Sequence, residues 1–209
     1  MSSISIIGVG NIARTIGVRA VAGGNSVQLI GRDIAKATAL AAELGGNATA
    51  AKVGEVPAGD IVILAVPYAS VVEMVGQYGD ALGGKVLVDI TNPFDRTTMT
   101  DLAAPRDSSA AQQIAAAAPA GAHVVKAFNT LFSNVLAAGK VDGYPLDVFM
   151  AGDDAGAKAS VASFIESLGL RPLDTGELKM AHWLEGAGLL MVSLVTATKS
   201  HAISMKILG

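Results

Sequence analysis

The chain contains no cysteine, few aromatic residues and few charges, and each shortage excludes a class of function. Without cysteine, its 209 residues hold no disulfide, no thiol nucleophile and no cysteine-ligated zinc or iron–sulfur site. Lys and Arg number 15 against 18 Asp and Glu, so no basic stripe is available for a nucleic-acid backbone. No cluster of His, Asp and Glu has metal-ligand spacing. We therefore expect neither a metal nor a nucleic acid among its ligands.

Apolar residues, in contrast, make up 51% of the chain. The uncharged stretch near the C-terminus, residues 186–198, is shorter than a bilayer requires and is typical of a buried helix. The chain starts directly with an apolar strand and has no basic segment before it, so no secretory signal is visible. These features predict a soluble, cytoplasmic protein without a membrane partner.

Apolar strands alternate with alanine-rich helical stretches along most of the sequence. Strands are predicted to end near Pro67, Thr91 and Asn129, and residues 177 to the end read mainly as helix. This succession predicts an α/β fold, a Rossmann-type doubly wound parallel sheet with right-handed crossovers. We expect a nucleotide-binding domain over residues 1–175. A helical C-terminal tail over residues 176–209 would complete its pocket.

A Gly-x-Gly-x-x-Ala turn follows the first strand, at residues 8–13. Gly8 permits a tight turn, Gly10 has no side chain to obstruct a pyrophosphate, and Ala13 lets the helix pack closely on the sheet. The helix that opens near Asn11 directs its free N–H groups and the positive end of its dipole at the phosphates. The segment therefore predicts a dinucleotide site.

The end of the second strand indicates which dinucleotide is bound. An NAD site usually carries an acidic residue there, but this chain has Gly31 followed by Arg32. A guanidinium beside a small residue suits the 2′-phosphate of NADP, and Lys36 lies one helical turn further on. Asp33 has two possible roles, as a ribose acceptor or as the N-cap of a helix over residues 34–44, and we favour the cap.

Polar residues follow three of the predicted strands, where ligands of such sheets bind. Pro67 either turns the chain over the cofactor or only ends its strand. The side chains of Asn92, Asn129 and Thr130 could bind a carboxamide or a ring carbonyl, or could close local turns. No strand end carries a Ser-x-x-x-Tyr or His–Asp pair for proton transfer. This absence favours a hydride acceptor that handles its own proton.

Four segments together resemble the NADP oxidoreductases that depend on coenzyme F420, and the reductase domains of the STEAP metalloreductases share much of the pattern. They are Gly-Val-Gly-Asn-Ile-Ala (8–13), Gly-Arg-Asp (31–33), Val-Lys-Ala-Phe-Asn-Thr (125–130) and Gly-Leu-Arg-Pro-Leu-Asp-Thr-Gly (169–176). The resemblance implies hydride transfer between the nicotinamide of NADP and a flavin-like ring. It also implies site residues. Pyrophosphate would lie on Gly10, Asn11 and Ile12, the 2′-phosphate on Arg32 and Lys36, and the middle of the cofactor on Val66 and Pro67; Asn129, Thr130 and Leu131 would border the second ring.

The second substrate stays open between F420, FMN, FAD and another small oxidant. Two alternatives to an F420-linked reductase remain. One is an NADPH-dependent flavin or metal reductase of the STEAP type, and the other is a non-catalytic sensor of NADP(H). The apolar stretch from Leu184 to Val195 is unusual for a surface helix and predicts a homodimer interface.

Overall fold

Residues 1–208, which the computed structural model describes, form ten strands and seven α-helices around one large sheet. The strands are β1 Ser3–Ile7, β2 Ser26–Gly31, β3 Ala48–Lys52, β4 Ile61–Leu64, β5 Val86–Asp89, β6 His123–Lys126, β7 Lys140–Val141, β8 Tyr144–Pro145, β9 Asp147–Gly152 and β10 Arg171–Asp174. The helices are α1 Asn11–Ala22, α2 Ile34–Leu44, α3 Tyr68–Tyr78, α4 Ala110–Ala117, α5 Ser133–Ala138, α6 Ala155–Ser167 and α7 Ala181–Thr198.

The sheet has eight strands in the order β10-β9-β6-β5-β4-β1-β2-β3, and β7 and β8 form a separate hairpin. All neighbouring pairs in the large sheet are parallel except β6 and β9, which are antiparallel. The prediction of a Rossmann-type doubly wound parallel sheet is confirmed, and β6 and β9 are its one antiparallel pair. The connection between β6 and β9 leaves the sheet and re-enters it at the same end of the strands, so β9 runs in the opposite direction to β6.

Helices cover both faces of the sheet, which explains the continuous apolar runs in its strands. Successive residues of a strand point to opposite faces. In β4, Ile61 and Ile63 therefore join the core beneath α1, α2 and α6, while Val62 and Leu64 join the core beneath α3 and α4. The sheet is thus a rigid platform, and its carboxyl-terminal edge is free to carry ligands.

The helix predicted over residues 34–44 is α2, with the same boundaries. The Asp33 carboxylate caps α2 by accepting hydrogen bonds from the N–H groups of Ala35 (3.0 Å) and Lys36 (3.3 Å). The preferred role of Asp33 as a helix cap is therefore confirmed. Strand β3, with the sequence Ala-Thr-Ala-Ala-Lys, was missed because it has no run of large apolar residues.

The C-terminal helix differs from the expectation in both length and burial. Helical structure extends over the 21 residues Leu178–Thr198. Their most apolar 18-residue stretch has a mean hydropathy of 1.3, and only 28% of that stretch is buried. Residues 186–198, expected to be too short to cross a bilayer and to be buried, are therefore part of a longer helix that is largely exposed. By length and composition it could cross a membrane, a property that helices packed on their own domain can share. Here Glu185, in the second turn of α7, is fully buried against β6.

The last residues are bound to the far edge of the sheet by the buried carboxylate of Asp147. This carboxylate accepts hydrogen bonds from the guanidinium of Arg171 (2.7 and 2.8 Å), from Lys206 Nζ and from the N–H of Ile207 (2.8 Å). Burial alone would raise the pKa of Asp147. The hydrogen bonds from Arg171, Ile207 and Lys206 outweigh that effect and lower the pKa to about 2.

We expect Asp147→Asn to destabilise the protein by about 2 kcal/mol at neutral pH, since a lowered folded-state pKa means that ionisation favours folding. In the wild type this contribution is present above the unfolded-state pKa of about 4. It declines as the pH falls towards the folded-state pKa of about 2. Urea unfolding measures the loss, and hydrogen exchange at the Ile207 amide reports release of the tail. Asp107→Asn, at an exposed position, is the matched control. Unchanged Ile207 exchange in Asp147→Asn would contradict this role.

Candidate functional site

A cavity of about 570 Å³ opens at the carboxyl ends of β1, β2 and β4. This is where the strand order reverses, because β2 lies on one side of β1 and β4 on the other. Open α/β sheets bind their ligands at such a point. Seven of the ten residues predicted to bind the cofactor line the cavity: Gly8, Gly10, Gly31, Arg32, Lys36, Val66 and Pro67.

The two glycines of the first turn have different physical requirements. Gly8 has φ +126°, and a Cβ atom there would lie only 2.1 Å from the carbonyl oxygen of Ala65. At Gly10 an added Cβ would meet nothing within 4 Å, because that position faces the open cavity. The fold therefore requires glycine at position 8, whereas at position 10 the absent side chain leaves room for a ligand.

The N-terminus of α1 adjoins this space with unsatisfied donors. The first intrahelical bond runs from the N–H of Arg14 to the carbonyl of Gly10, so the N–H groups of Asn11, Ile12 and Ala13 have no partner within the helix. No acidic side chain lies in the first turn. The predicted residues Asn11 and Ile12 lie beside the cavity at this helix end and are not in its lining. The arrangement suits a phosphate group.

Arg32 and Lys36 place positive charge at the β2 side of the cavity. Arg32 is exposed and forms no hydrogen bond or ion pair with any residue from 1 to 208. The Nζ atom of Lys36 lies 4.0 Å from the Asp33 carboxylate, a weak contact between two exposed side chains. Because Asp33 caps α2, Arg32 and Lys36 are available to an anionic ligand.

Helix α3 supplies a wall that we did not predict. Pro67 directly precedes the helix, and Ser70, Glu73, Met74 and Gln77 line the cavity from it. Their spacing of three to four residues places them on one helical face. That spacing, directly after a strand that ends at the cavity, is the signal that could have identified them.

The predicted second-substrate residues are buried in this conformation. Asn129 donates from Nδ2 to the side-chain oxygen of Asn92 (2.9 Å) and to the carbonyl oxygen of Leu184 on α7 (2.8 Å). Asn92 in turn donates to the carbonyl oxygen of Asn129 (2.8 Å). Thr130 and Leu131 are also buried. The structure therefore brings Asn92 to Asn129 and sets both apart from the cavity lining, so a pocket at residues 129–131 stays a prediction.

The backbone immediately before Asn129 has an unusual conformation. Phe128, immediately before Asn129, has φ +61° although it carries a large side chain. It is buried, and its ring packs edge-on against Phe164 at a centroid distance of 6.3 Å. A non-glycine residue in this region is strained and persists only where its surroundings fix it. The packing of Phe128 thus fixes the direction in which Asn129 leaves β6.

Three fully buried charged side chains lie behind the Asn92–Asn129 pair, and we call them the buried charge cluster: Asp89, Lys126 and Glu185. The ammonium of Lys126 is 2.8 Å from a carboxylate oxygen of Asp89, 2.8 Å from one of Glu185 and 2.6 Å from the carbonyl oxygen of Thr91. Sequence reasoning missed this cluster. The signal was a single charge in each of three otherwise apolar segments, β5, β6 and α7.

The fold and the cavity define a dinucleotide-binding protein of the Rossmann type, and known proteins with the same features are similar to it in sequence and structure. Residues 3–93 match the family described as NADP oxidoreductase, coenzyme F420-dependent. A structure from Arthrobacter sp. FB24, provisionally named an F420-dependent NADP-reductase, superimposes with a TM-score of 0.87 and 27% identity over the whole of both chains. The chain is therefore similar to this family of NADP-dependent oxidoreductases, by sequence over residues 3–93 and by fold over its whole length.

Two curated relatives are also similar. The F420-dependent NADP reductase of Methanocaldococcus jannaschii is 29% identical over 154 residues, covering 71% of this chain and 68% of that protein. Metalloreductase STEAP3 of Rattus norvegicus is 30% identical over 192 residues, covering 90% of this chain. The chain spans only 37% of the length of that metalloreductase.

Proposed function

We propose that this protein transfers a hydride between NADP(H) and a deazaflavin, coenzyme F420, or a flavin. The observation that carries the proposal is the cavity at the strand-order reversal, where an open glycine position, a helix N-terminus and a free arginine meet. The family comparisons support the same chemistry, since two of the related proteins are named as F420-dependent.

The residues present fit a bound NADP. Gly8, Gly10 and the N–H groups of Asn11 and Ile12 would hold the pyrophosphate, and Gly31, Arg32 and Lys36 would hold the 2′-phosphate. Val66, Pro67 and Asn92 would follow the cofactor towards its nicotinamide. When bound, NADPH would supply a hydride to the acceptor ring and become NADP⁺. The reduced ring would take up one proton. The protein's own contribution is to hold the two rings in contact.

For an acceptor ring to meet Asn129, Thr130 and Leu131, the chain must uncover them. Asn129 is held by Leu184, so access at this point requires α7 to shift away from the strand ends. A second substrate that enters between α7 and the sheet would thereby form its own pocket. The proposal thus assigns to α7 the role of a movable wall for the second substrate.

We expect Arg32→Ala to weaken NADPH binding by about tenfold to a hundredfold, because a charge-assisted contact to the 2′-phosphate is lost. NADH lacks this phosphate, so its affinity should change much less. Calorimetric titration of both nucleotides measures the difference. Lys36→Ala, which removes a charge already in weak contact with the Asp33 carboxylate, should have a smaller effect of the same kind. An equal loss for NADPH and NADH would mean that Arg32 has a structural role instead.

The experiment that tests the function is NADPH oxidation with F420, FMN, FAD and riboflavin as acceptors, and with NADH as the control donor. Turnover with F420 would support the F420-linked reaction. Turnover with flavins alone would favour the second candidate, a flavin or metal reductase of the STEAP type, which the similarity over 90% of the chain supports. Tight NADPH binding without any turnover would overturn the enzymatic proposal and favour a sensor.

The proposal includes a cytoplasmic homodimer. Its support is the outer face of α7, where Trp183, Leu190 and Leu194 expose large apolar side chains. A second copy would cover such a face in an isologous contact. Sedimentation velocity across a range of concentrations would detect the dimer.

A further inference from the structure

The buried charge cluster contains two carboxylates and only one ammonium group. Asp89, Lys126 and Glu185 are each 0% exposed, so water cannot screen the imbalance. A charge in such a place is costly unless it is paired and hydrogen-bonded. With both carboxylates ionised, the cluster carries one excess negative charge.

The hydrogen bonds indicate that both carboxylates carry their charge. One oxygen of Glu185 accepts from Lys126 and the other from the N–H of Ala110 (3.2 Å). One oxygen of Asp89 accepts from Lys126 and the other from the N–H of Thr91 (2.8 Å). Every identified partner of these four oxygens is a donor, and a protonated carboxyl group would need an acceptor. Burial and the neighbouring Asp89 charge raise the pKa of Glu185 above its ordinary value, although Lys126 and the Ala110 N–H oppose that rise.

The cluster also lies close to the part of the cavity where the nicotinamide half of a bound dinucleotide would lie. With the adenosine half held by Arg32 at β2, the nicotinamide half would extend over β4 and towards β5. Asp89 pairs in the sheet with Leu64, which directly precedes the cavity residues Ala65 and Val66. Lys126 pairs with Asp89 on the next strand. Neighbouring strands are about 5 Å apart, so the cluster lies within one or two strand spacings of this half.

We propose that the buried charge cluster stabilises the positively charged oxidised nicotinamide relative to the neutral reduced one, and so makes bound NADPH a stronger hydride donor. This inference rests on the proposed binding of NADP(H). A single excess charge about 10 Å from the ring, at an effective dielectric constant of about 20, corresponds to roughly a tenfold preference for NADP⁺. The cluster touches neither ring, and its effect is purely electrostatic.

The test is the ratio of the dissociation constants of NADP⁺ and NADPH, measured by calorimetric titration in the wild type and in Glu185→Gln. We expect the variant to lose affinity for NADP⁺ relative to NADPH by about tenfold, because one buried negative charge is removed without a change of shape. Structural damage would weaken both ligands together and leave the ratio unchanged. Glu166→Gln, on the exposed side of α6, is the matched control and should leave both constants unchanged.

Asp89→Asn provides an independent variant with the same expected direction, and circular dichroism shows whether each variant is folded. An unchanged ratio in a folded variant that binds both nucleotides would overturn the inference while the proposed function stands. Failure of the wild type to bind either nucleotide would instead refute the proposed function. Should neither variant fold, the wild type alone decides, since we expect it to bind NADP⁺ at least as tightly as NADPH. Tighter binding of NADPH would contradict the inference.

Discussion

Replacing Gly8 by alanine should prevent stable folding, whereas the same replacement at Gly10 should leave the fold intact and abolish tight NADPH binding. A Cβ atom at position 8 would lie 2.1 Å from the backbone oxygen of Ala65, the residue directly after β4, and Gly8 also has φ +126°. Neither the strand nor its neighbour can move without disrupting the sheet. We therefore expect a loss of at least about 3 kcal/mol, a large share of the stability of an ordinary domain.

At Gly10 the backbone is extended, with φ −85° and ψ −177°, which any residue adopts. The alanine methyl group would meet no protein atom within 4 Å and would project into the space assigned to the pyrophosphate. We expect a stability change within about 1 kcal/mol, because alanine is a poorer N-cap than glycine. NADPH affinity should fall at least about tenfold, since contact distance to the phosphate is blocked.

Thermal unfolding and NADPH titration of the two variants provide the comparison, and each variant is the control for the other. Folding of Gly8→Ala with wild-type stability would contradict the steric role of position 8. Undiminished NADPH affinity in Gly10→Ala would place the pyrophosphate elsewhere.

Replacing Lys126 by methionine should destabilise the protein by about 3–5 kcal/mol, because the change leaves two buried carboxylates without a counter-ion. Methionine fills a similar volume, so the loss arises from charge rather than from a cavity. The ammonium also holds the carbonyl oxygen of Thr91 at 2.6 Å, and that hydrogen bond is lost as well. Urea unfolding at constant pH measures the effect, with Lys140→Met, at an exposed strand position, as the control.

A double variant makes this prediction specific. Glu185→Gln added to Lys126→Met removes one of the two unpaired charges and should recover part of the lost stability. Residues in one buried network are expected to be non-additive in this way. A loss below about 1 kcal/mol in Lys126→Met, or simple additivity in the double variant, would show that the cluster contributes little to folding.

The parts of the site that could be predicted from the sequence are those that depend on residues close together in the chain. The turn at Gly8 and Gly10, the cap at Asp33 and the position of Arg32 all follow from a strand that runs into a helix. Their geometry is set within about ten residues, so a pattern of residue types is sufficient to predict it.

The rest depends on contacts between distant segments. The antiparallel direction of β9 is decided by where a 20-residue connection re-enters the sheet, and no local pattern encodes that point. The burial of Asn129 depends on the carbonyl group of Leu184, 55 residues further along. The pairing of Lys126 with Glu185 joins residues 59 positions apart. Isolated charges in apolar segments signal that partners exist, but they do not identify which residues pair.

The position of Gly188 on α7 has a mechanical consequence. A Cβ atom there would lie 2.8 Å from the side-chain oxygen of Asn92, so the helix backbone rests directly on the strand-end amide. One helical turn earlier, Leu184 holds Asn129, Glu185 holds Lys126 and the neighbouring Trp183 points outward with 67% of its surface exposed. The inner and outer faces of α7 therefore move as one body. A partner that displaces Trp183 is therefore expected to displace the contacts of Asn92 and Asn129 as well, because all of them belong to the same helix.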